Sequence, residues 1–162
     1  MGAQPAEDLN GLVVRVDDRL FHGQILYGWA KGWASEVWLA NDVVANNQDE
    51  RSLYEEQMAG VQGGILSIDE AVERYKECGC KVDKCLLIVG SCIDLKRLID
   101  GGAVPGEIHL ANLGTGEGKT QIAESVSLSD NDCEIIRDLQ DDGFSICLRK
   151  LPQSKTKDVV IP

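Results

Sequence analysis

Histidine is scarce in this chain, with two copies in 162 residues, at positions 22 and 109. Lysine and arginine are outnumbered too, 16 against 27 aspartates and glutamates, for a formal net charge of −11. That balance argues against nucleic acid or an anionic lipid surface as partner, because both are gripped by clustered Lys and Arg. No apolar run approaches the length of a membrane span. The N-terminus, MGAQPAEDLN, has neither the basic start nor the apolar stretch of a signal peptide. Position 6 is alanine, so the Ser or Thr of a myristoylation signal is missing after Gly2. These absences predict a cytoplasmic chain.

The six cysteines contain no CxxC pair, and no histidine lies near Cys78-Gly-Cys80 to complete a zinc site. Cys85 and Cys147 sit in apolar runs, where cysteine behaves as a small hydrophobe. Reduced, structural thiols are expected, with Cys78 and Cys80 the one pair worth testing for redox or metal chemistry.

With 43% apolar and 27% charged residues, the composition is that of an ordinary globular protein, and the length suits one domain over residues 1–162. Apolar runs rich in β-branched residues alternate with amphipathic stretches. LVVRVD (12–17), EVWLAN (36–41), CLLIVG (85–90), EIHLANL (107–113) and FSICLRKL (144–151) read as strands, and GGILSI runs into a helix. Helices are expected over 23–34, 51–60, 68–79 and 94–102, and after Ser129 or Asp130 as N-cap. Single helices between strands imply crossovers, hence an α/β domain with a mostly parallel twisted sheet, helices on both faces and one antiparallel strand near the C-terminal end. NDVVAN (41–46) reads as a polar loop, and residues 1–10 and 153–162 as loosely held ends.

In open sheets of this kind ligands bind beyond the carboxyl ends of the strands. The loop after LVVRVD therefore stands at the functional edge, with Asp17, Asp18, Arg19 and His22. A helix starting near Gly23 sets the His22 ring beside free backbone N–H groups that favour an anion. A neutral imidazole nitrogen in such a place is a suitable nucleophile for a phosphoryl group. Arg19 can hold phosphate oxygens bidentately, and Asp17 or Asp18 can orient the arginine or select the ring tautomer. Arg15 adds a second positive group if its side chain reaches the same edge. The bland alternative is a capping histidine beside a solvated salt-bridge turn.

VRVDDRLFHGQILYGW closely resembles the active-site signature of the IIB components of the mannose/fructose/sorbose family of the bacterial phosphoenolpyruvate:sugar phosphotransferase system. The resemblance extends through NDVVAN, LKRLIDGG and GKTQIAESVSLSDNDCEIIRDLQDDGFSICLRKLP, covering about residues 11–160. It implies a phosphocarrier transferase. His22 would accept phosphate at Nδ1 from a IIA phosphocarrier and pass it to a sugar carried by the membrane IIC/IID permease, whose components could recruit the chain to the inner membrane face. Arg19 would stabilise the phosphoryl group, Asp17 would support from behind, and Arg15, Gly23 and Gln24 would bind phosphate. Such a transfer needs no metal or organic cofactor. A regulatory phospho-acceptor without a sugar as final acceptor is the alternative, and a homodimer is left open. Asn112-Leu113-Gly114 and Gly90-Ser91-Cys92 depart from the family's usual loops, which leaves partner surface and sugar choice undetermined.

Two decoys complete the reading. GTGEGKT (114–120) lacks the first glycine of a phosphate loop, since that position is Leu113, and an extended TQIAESVSL follows where a helix is required. Lys119 can still approach a phosphate or partner at the same edge. His109, alternating with Ile108 and Leu110, reads as a structural strand residue, and Trp29 and Trp33, four apart, as a helix face packed on the sheet.

Overall fold

A computed structural model describes residues 9–78 and 83–162. Its centre is β1 (Leu12–Asp17), all six residues of which are buried. A continuous apolar run suits a strand covered on both faces, and alternation divides its side chains between them. Leu12, Val14 and Val16 face one core with β4 (Cys85–Val89) and the helices α4 (Ile68–Cys78), α5 (Cys92–Asp100) and α6 (Asp130–Asp141). Val13 faces the other core, which holds Phe21, Ile25, Trp29 and Trp33. Each fully buried Leu, Ile or Val contributes about 1.5–3 kcal/mol, so this central strand anchors both layers.

Around it lie β2 (Glu36–Ala40), β3 (Gly63–Leu66), β5 (Glu107–Asn112), β8 (Ile146–Leu148) and β9 (Lys157–Asp158), in the order β3-β2-β4-β1-β5-β8-β9. All pairs are parallel except β8 with β9. The fold is the α/β arrangement expected, antiparallel C-terminal strand included. A separate hairpin, β6 (Lys119–Ala123) with β7 (Val126–Ser129), stands beside the sheet. Gly63 has φ +129 and no room for a side chain, since a Cβ would lie 1.8 Å from the Val37 carbonyl oxygen.

Several elements differ from their sequence expectation for identifiable reasons. NDVVAN is helical: Asn41 caps α2 (Asp42–Asn46) by accepting from the Val44 N–H at 3.0 Å. Asn47 then caps α3 (Gln48–Gln57), which therefore begins earlier than 51. The first helix starts as α1 (Gly23–Ile25), continues as a π-helical stretch over Leu26–Ala30, and ends before 34. Ser129 caps α6 in a reciprocal capping box with Asp132, one of the two candidates named. The segment 153–162, expected as a loose end, carries β9, buries Val159 and has the Val159 carbonyl accepting from Gln140 Nε2 at 2.8 Å. Among the described residues no helix is long and apolar enough to cross a membrane.

Candidate functional site

Alternation along β1 places Arg15 and Asp17 on the same side as Val13, beneath α1. The chain then turns tightly, with the Leu20 N–H donating to the Asp17 carbonyl at 3.0 Å. Leu20 adopts φ 59, a left-handed conformation that costs a non-glycine residue about 1–2 kcal/mol. The turn directs both Arg19 and His22 back onto one carboxylate.

Asp17 is that hub, with no exposed side-chain surface. Its Oδ1 accepts from the Arg19 backbone N–H at 2.9 Å and from Arg19 Nε at 3.1 Å. Oδ2 accepts from Arg19 Nη2 at 2.9 Å and lies 3.0 Å from His22 Nε2. Burial alone would raise the Asp17 pKa, but the bonds from Arg19 and His22 outweigh it and hold the group below its ordinary value. An ionised carboxylate only accepts, so His22 Nε2 carries the proton and Nδ1 keeps its lone pair. No described residue hydrogen-bonds that Nδ1. His22 is 21% exposed and Arg19 43%, so both reach solvent from a buried base. His22 is also the N-cap of α1, beside first-turn N–H groups without intrahelical acceptors. A Cβ at Gly23 would meet nothing within 4 Å, so the approach over that turn is open.

A nucleophilic nitrogen, an exposed guanidinium fixed beside it and free backbone donors can together receive a phosphoryl group. Asp17, Arg19 and His22 thus come together as the sequence suggested, and Asp17 performs both tasks that had been open to either aspartate. Asp18 does something else. Its carboxylate accepts from Asn112 Nδ2 at 2.7 Å and the Gly114 N–H at 2.8 Å, tying the loop after β5 to the loop after β1.

Arg15 does not join the His22 ring. It is 3% exposed, donates through Nη1 to the Arg149 carbonyl at 2.6 Å and through Nη2 to the Lys150 carbonyl at 3.2 Å, and packs 4.8 Å from the Trp29 ring centre. Burial lowers its pKa to about 10, so the guanidinium stays charged at neutral pH. Trp29 Nε1 also donates to the Lys150 carbonyl, at 3.2 Å, so β1 and the π-helical stretch after α1 together hold the chain leaving β8. Gly28 admits that chain closely, since a Cβ there would lie 2.6 Å from Leu151 Cδ2.

His109 is fully buried, a structural strand residue. Arg15 Nη1 lies 3.1 Å from its Nδ1 and can only donate, which leaves the proton on Nε2, 3.3 Å from Glu107 Oε1. Burial lowers its pKa to about 4. Glu107, His109 and Cys147 bring three potential metal donors within 4.8 Å of one another. The Arg149 guanidinium and the Cys147 thiol, each donating to Glu107 Oε1 at 3.0 Å, make this an internal hydrogen-bond network. Cys85, Cys92, Cys133 and Cys147 are buried free thiols and Cys78 is half-buried; Cys80 lies outside the described residues. Trp29 and Trp33 are buried against the sheet, edge to face at 5.8 Å. Lys119 begins a strand where a phosphate loop would open a helix, and its Nζ donates to the Gly114 carbonyl at 3.3 Å.

Beside Arg19 opens a cavity of about 790 Å³, reached by Gln24 and by Lys150, Lys155 and Lys157 of the C-terminal segment. Sequence reasoning missed these lysines. Their spacing in KLPQSKTK (150–157), within so acidic a chain, was the available signal.

Residues 12–161 match the family model of the PTS system sorbose subfamily IIB component. The chain belongs to this IIB family. This IIB chain is 26% identical over 153 residues to the mannose-specific EIIAB component of Escherichia coli K12, matching 91% of its own length and 47% of the relative. It therefore spans about half of that relative. It is 28% identical over 152 residues to the N-acetylgalactosamine-specific IIB component 2 of the same organism, covering 93% and 96%. It is 23% identical over 154 residues to the fructose-specific EIIB component of Bacillus subtilis, covering 94% of each. The crystal structure of the N-acetylgalactosamine-specific IIB component 1 from E. coli shares the fold, with TM-score 0.81, 24% identity and 93% and 99% coverage. So does the IIBSor domain of the Klebsiella pneumoniae sorbose permease, at TM-score 0.80, 24% identity and 92% and 93% coverage.

Proposed function

We propose that His22 is the phosphoryl carrier of this IIB component. It takes the group from a phosphohistidine on a IIA partner and delivers it to a sugar held by the IIC/IID permease at the cytoplasmic membrane face. The observation that carries this reading is the Asp17–His22 Nε2 hydrogen bond, which leaves Nδ1 as the free nucleophile.

In the first step the Nδ1 lone pair attacks phosphorus. The donor's P–N bond breaks, and its electron pair returns to the donor imidazole. The His22 ring, still protonated on Nε2, gains positive charge as the new bond forms, and the Asp17 carboxylate faces that charge from 3.0 Å. Arg19 stabilises the equatorial oxygens in passing, with Gly23 and Gln24 at the first turn of α1 as further phosphate contacts. In the second step a sugar hydroxyl oxygen attacks phosphorus, its proton leaves to bulk water, and the N–P bond electrons return to Nδ1. Arg15 serves indirectly, by holding the C-terminal segment beside the site.

Incubation with phosphoenolpyruvate, enzyme I, HPr and a mannose-family IIA tests the first step. Intact mass should rise by one acid-labile phosphate, absent in His22→Ala. No phosphate from a demonstrably competent IIA rules the carrier role out. Loss of the label only when membranes containing IIC, IID and sugar are added tests the second step. Retention of the label there would favour a regulatory phospho-acceptor.

A further inference from the structure

The net charge of −11 is unevenly spread. Six of the sixteen Lys and Arg residues, namely Arg15, Arg19, Arg149, Lys150, Lys155 and Lys157, line one cavity beside Arg19, where Glu124 is the one acid in the lining. Arg19 is matched by Asp17 and Arg149 by Glu107. Lys150, Lys155 and Lys157 are exposed and have no ion pair among the described residues, and the Nε of buried Arg15 has no hydrogen-bond partner among them. Positive charge is thus concentrated and left unneutralised at one concavity of an otherwise acidic molecule. Such a focus raises the local concentration of anions and binds them.

The shape narrows the class of anion. At about 790 Å³ the cavity is of small-molecule size, larger than a bare phosphate needs. The same lining includes Asn112, Thr115, Ser125 and Ser127, neutral side chains suited to hydroxyl groups. A lining that joins several cations with hydroxyls and an amide matches a molecule with an anionic head and a polyhydroxyl body.

Building on the carrier role of His22, we infer that this cavity is a binding site for a sugar phosphate ester, the product class of the transfer reaction. The phosphate group engages Arg19 and the lysines of the C-terminal segment, and the sugar hydroxyls face Asn112 and Ser127. Because Arg19 also serves the phosphoryl group on His22, the two anions compete for it. Sugar phosphate therefore binds the unphosphorylated form better and slows its rephosphorylation, and by linkage phosphorylation of His22 weakens sugar phosphate binding by the same factor. The result is product inhibition at the carrier itself.

Calorimetric titration of the full chain tests this with the phosphate esters of mannose, fructose, sorbose and N-acetylgalactosamine, each free sugar, and inorganic phosphate. At least one ester should bind saturably in the millimolar range or tighter, at least tenfold better than inorganic phosphate, with no binding of its free sugar. Lys155→Ala and Lys157→Ala, checked for native melting temperature, should each weaken the ester about fivefold or more, and phosphorylated wild type should bind it about tenfold less well. Failure of all four esters overturns the inference, as does an affinity unchanged in both lysine variants. Equal affinity for inorganic phosphate overturns the sugar assignment and leaves a plain anion site. If the lysine variants instead raise only the KM for phospho-IIA, the lysines serve an acidic protein surface and the inference fails. The phosphorylation assay on the same preparations separates the two readings: labelled His22 without ester binding refutes only this inference, and ester binding without labelling refutes the carrier role.

Discussion

Changing Asp17 to asparagine replaces one carboxylate oxygen by an NH2 group and removes one charge while keeping the side-chain volume. In the native site the carboxylate receives three hydrogen bonds from Arg19 and one from His22 Nε2. An amide can accept on only one atom. With its oxygen kept by the Arg19 backbone and Nε, its NH2 group faces His22 Nε2 and turns that nitrogen into an acceptor. The ring proton then moves to Nδ1 and blocks the nucleophile. Losing a charge-assisted bond removes about 1.5–3 kcal/mol of support for the ring cation formed in transfer, and restoring the reactive tautomer adds about 1–2 kcal/mol. At 1.36 kcal/mol per decade the sum predicts a slowing of about 10²- to 10⁴-fold. Rapid-quench mixing with phospho-IIA, read by intact mass, measures the single-turnover rate. NMR of the phosphorylated wild type identifies the linked nitrogen, expected to be Nδ1. An Asp17→Asn rate within threefold of wild type, or a wild-type phosphate on Nε2, would refute the tautomer argument.

On the proposed carrier role, Arg19→Ala should slow transfer at least about 10²-fold while His22→Ala abolishes it, both with native circular dichroism. Stability should depend on pH through His109. Burial holds its pKa at about 4 against 6.5 when free, so the unfolded chain binds the extra proton in between; the contribution is complete above pH 6.5 and shrinks by about 2–3 kcal/mol as pH falls to 4. Urea midpoints across that window should show the slope, and His109→Gln should flatten it. Glu107, held at about 2 against 4.5 because bonds from His109, Cys147 and Arg149 outweigh its burial, adds its own loss only below pH 4.5. Iodoacetamide should leave Cys85, Cys92, Cys133 and Cys147 unlabelled in the native chain, since burial pushes their thiols up, and should reach them only on unfolding. Native labelling at any of the four would contradict their burial.

The strands were legible wherever both faces are buried, as in LVVRVD and CLLIVG, because continuous apolar character survives in sequence. The helix over NDVVAN was not. Asn41, and Asn47 just past the stretch, look like loop residues until their side chains are seen capping the helices they precede. The early end of the first helix was equally hidden, since a π-helical stretch has no propensity signature and here packs against Leu151 through Gly28.

Local chemistry was written in the chain. Asp17, Arg19 and His22 lie within five residues, so one tight turn suffices to bring them together, and the sequence alone determined that constellation and the family that carries it. Which aspartate serves the ring, where Arg15 points and what surrounds the site were decided by contacts across most of the chain. Asp18 reaches Asn112 and Gly114, and Arg15 reaches the carbonyls of Arg149 and Lys150, 134 and 135 residues away. A buried guanidinium must find acceptors somewhere, and only the closed sheet, with β8 brought beside β5, supplies them. The same closure carries three lysines from the end of the chain to the rim of the His22 site, a meeting of charges that no local pattern encodes.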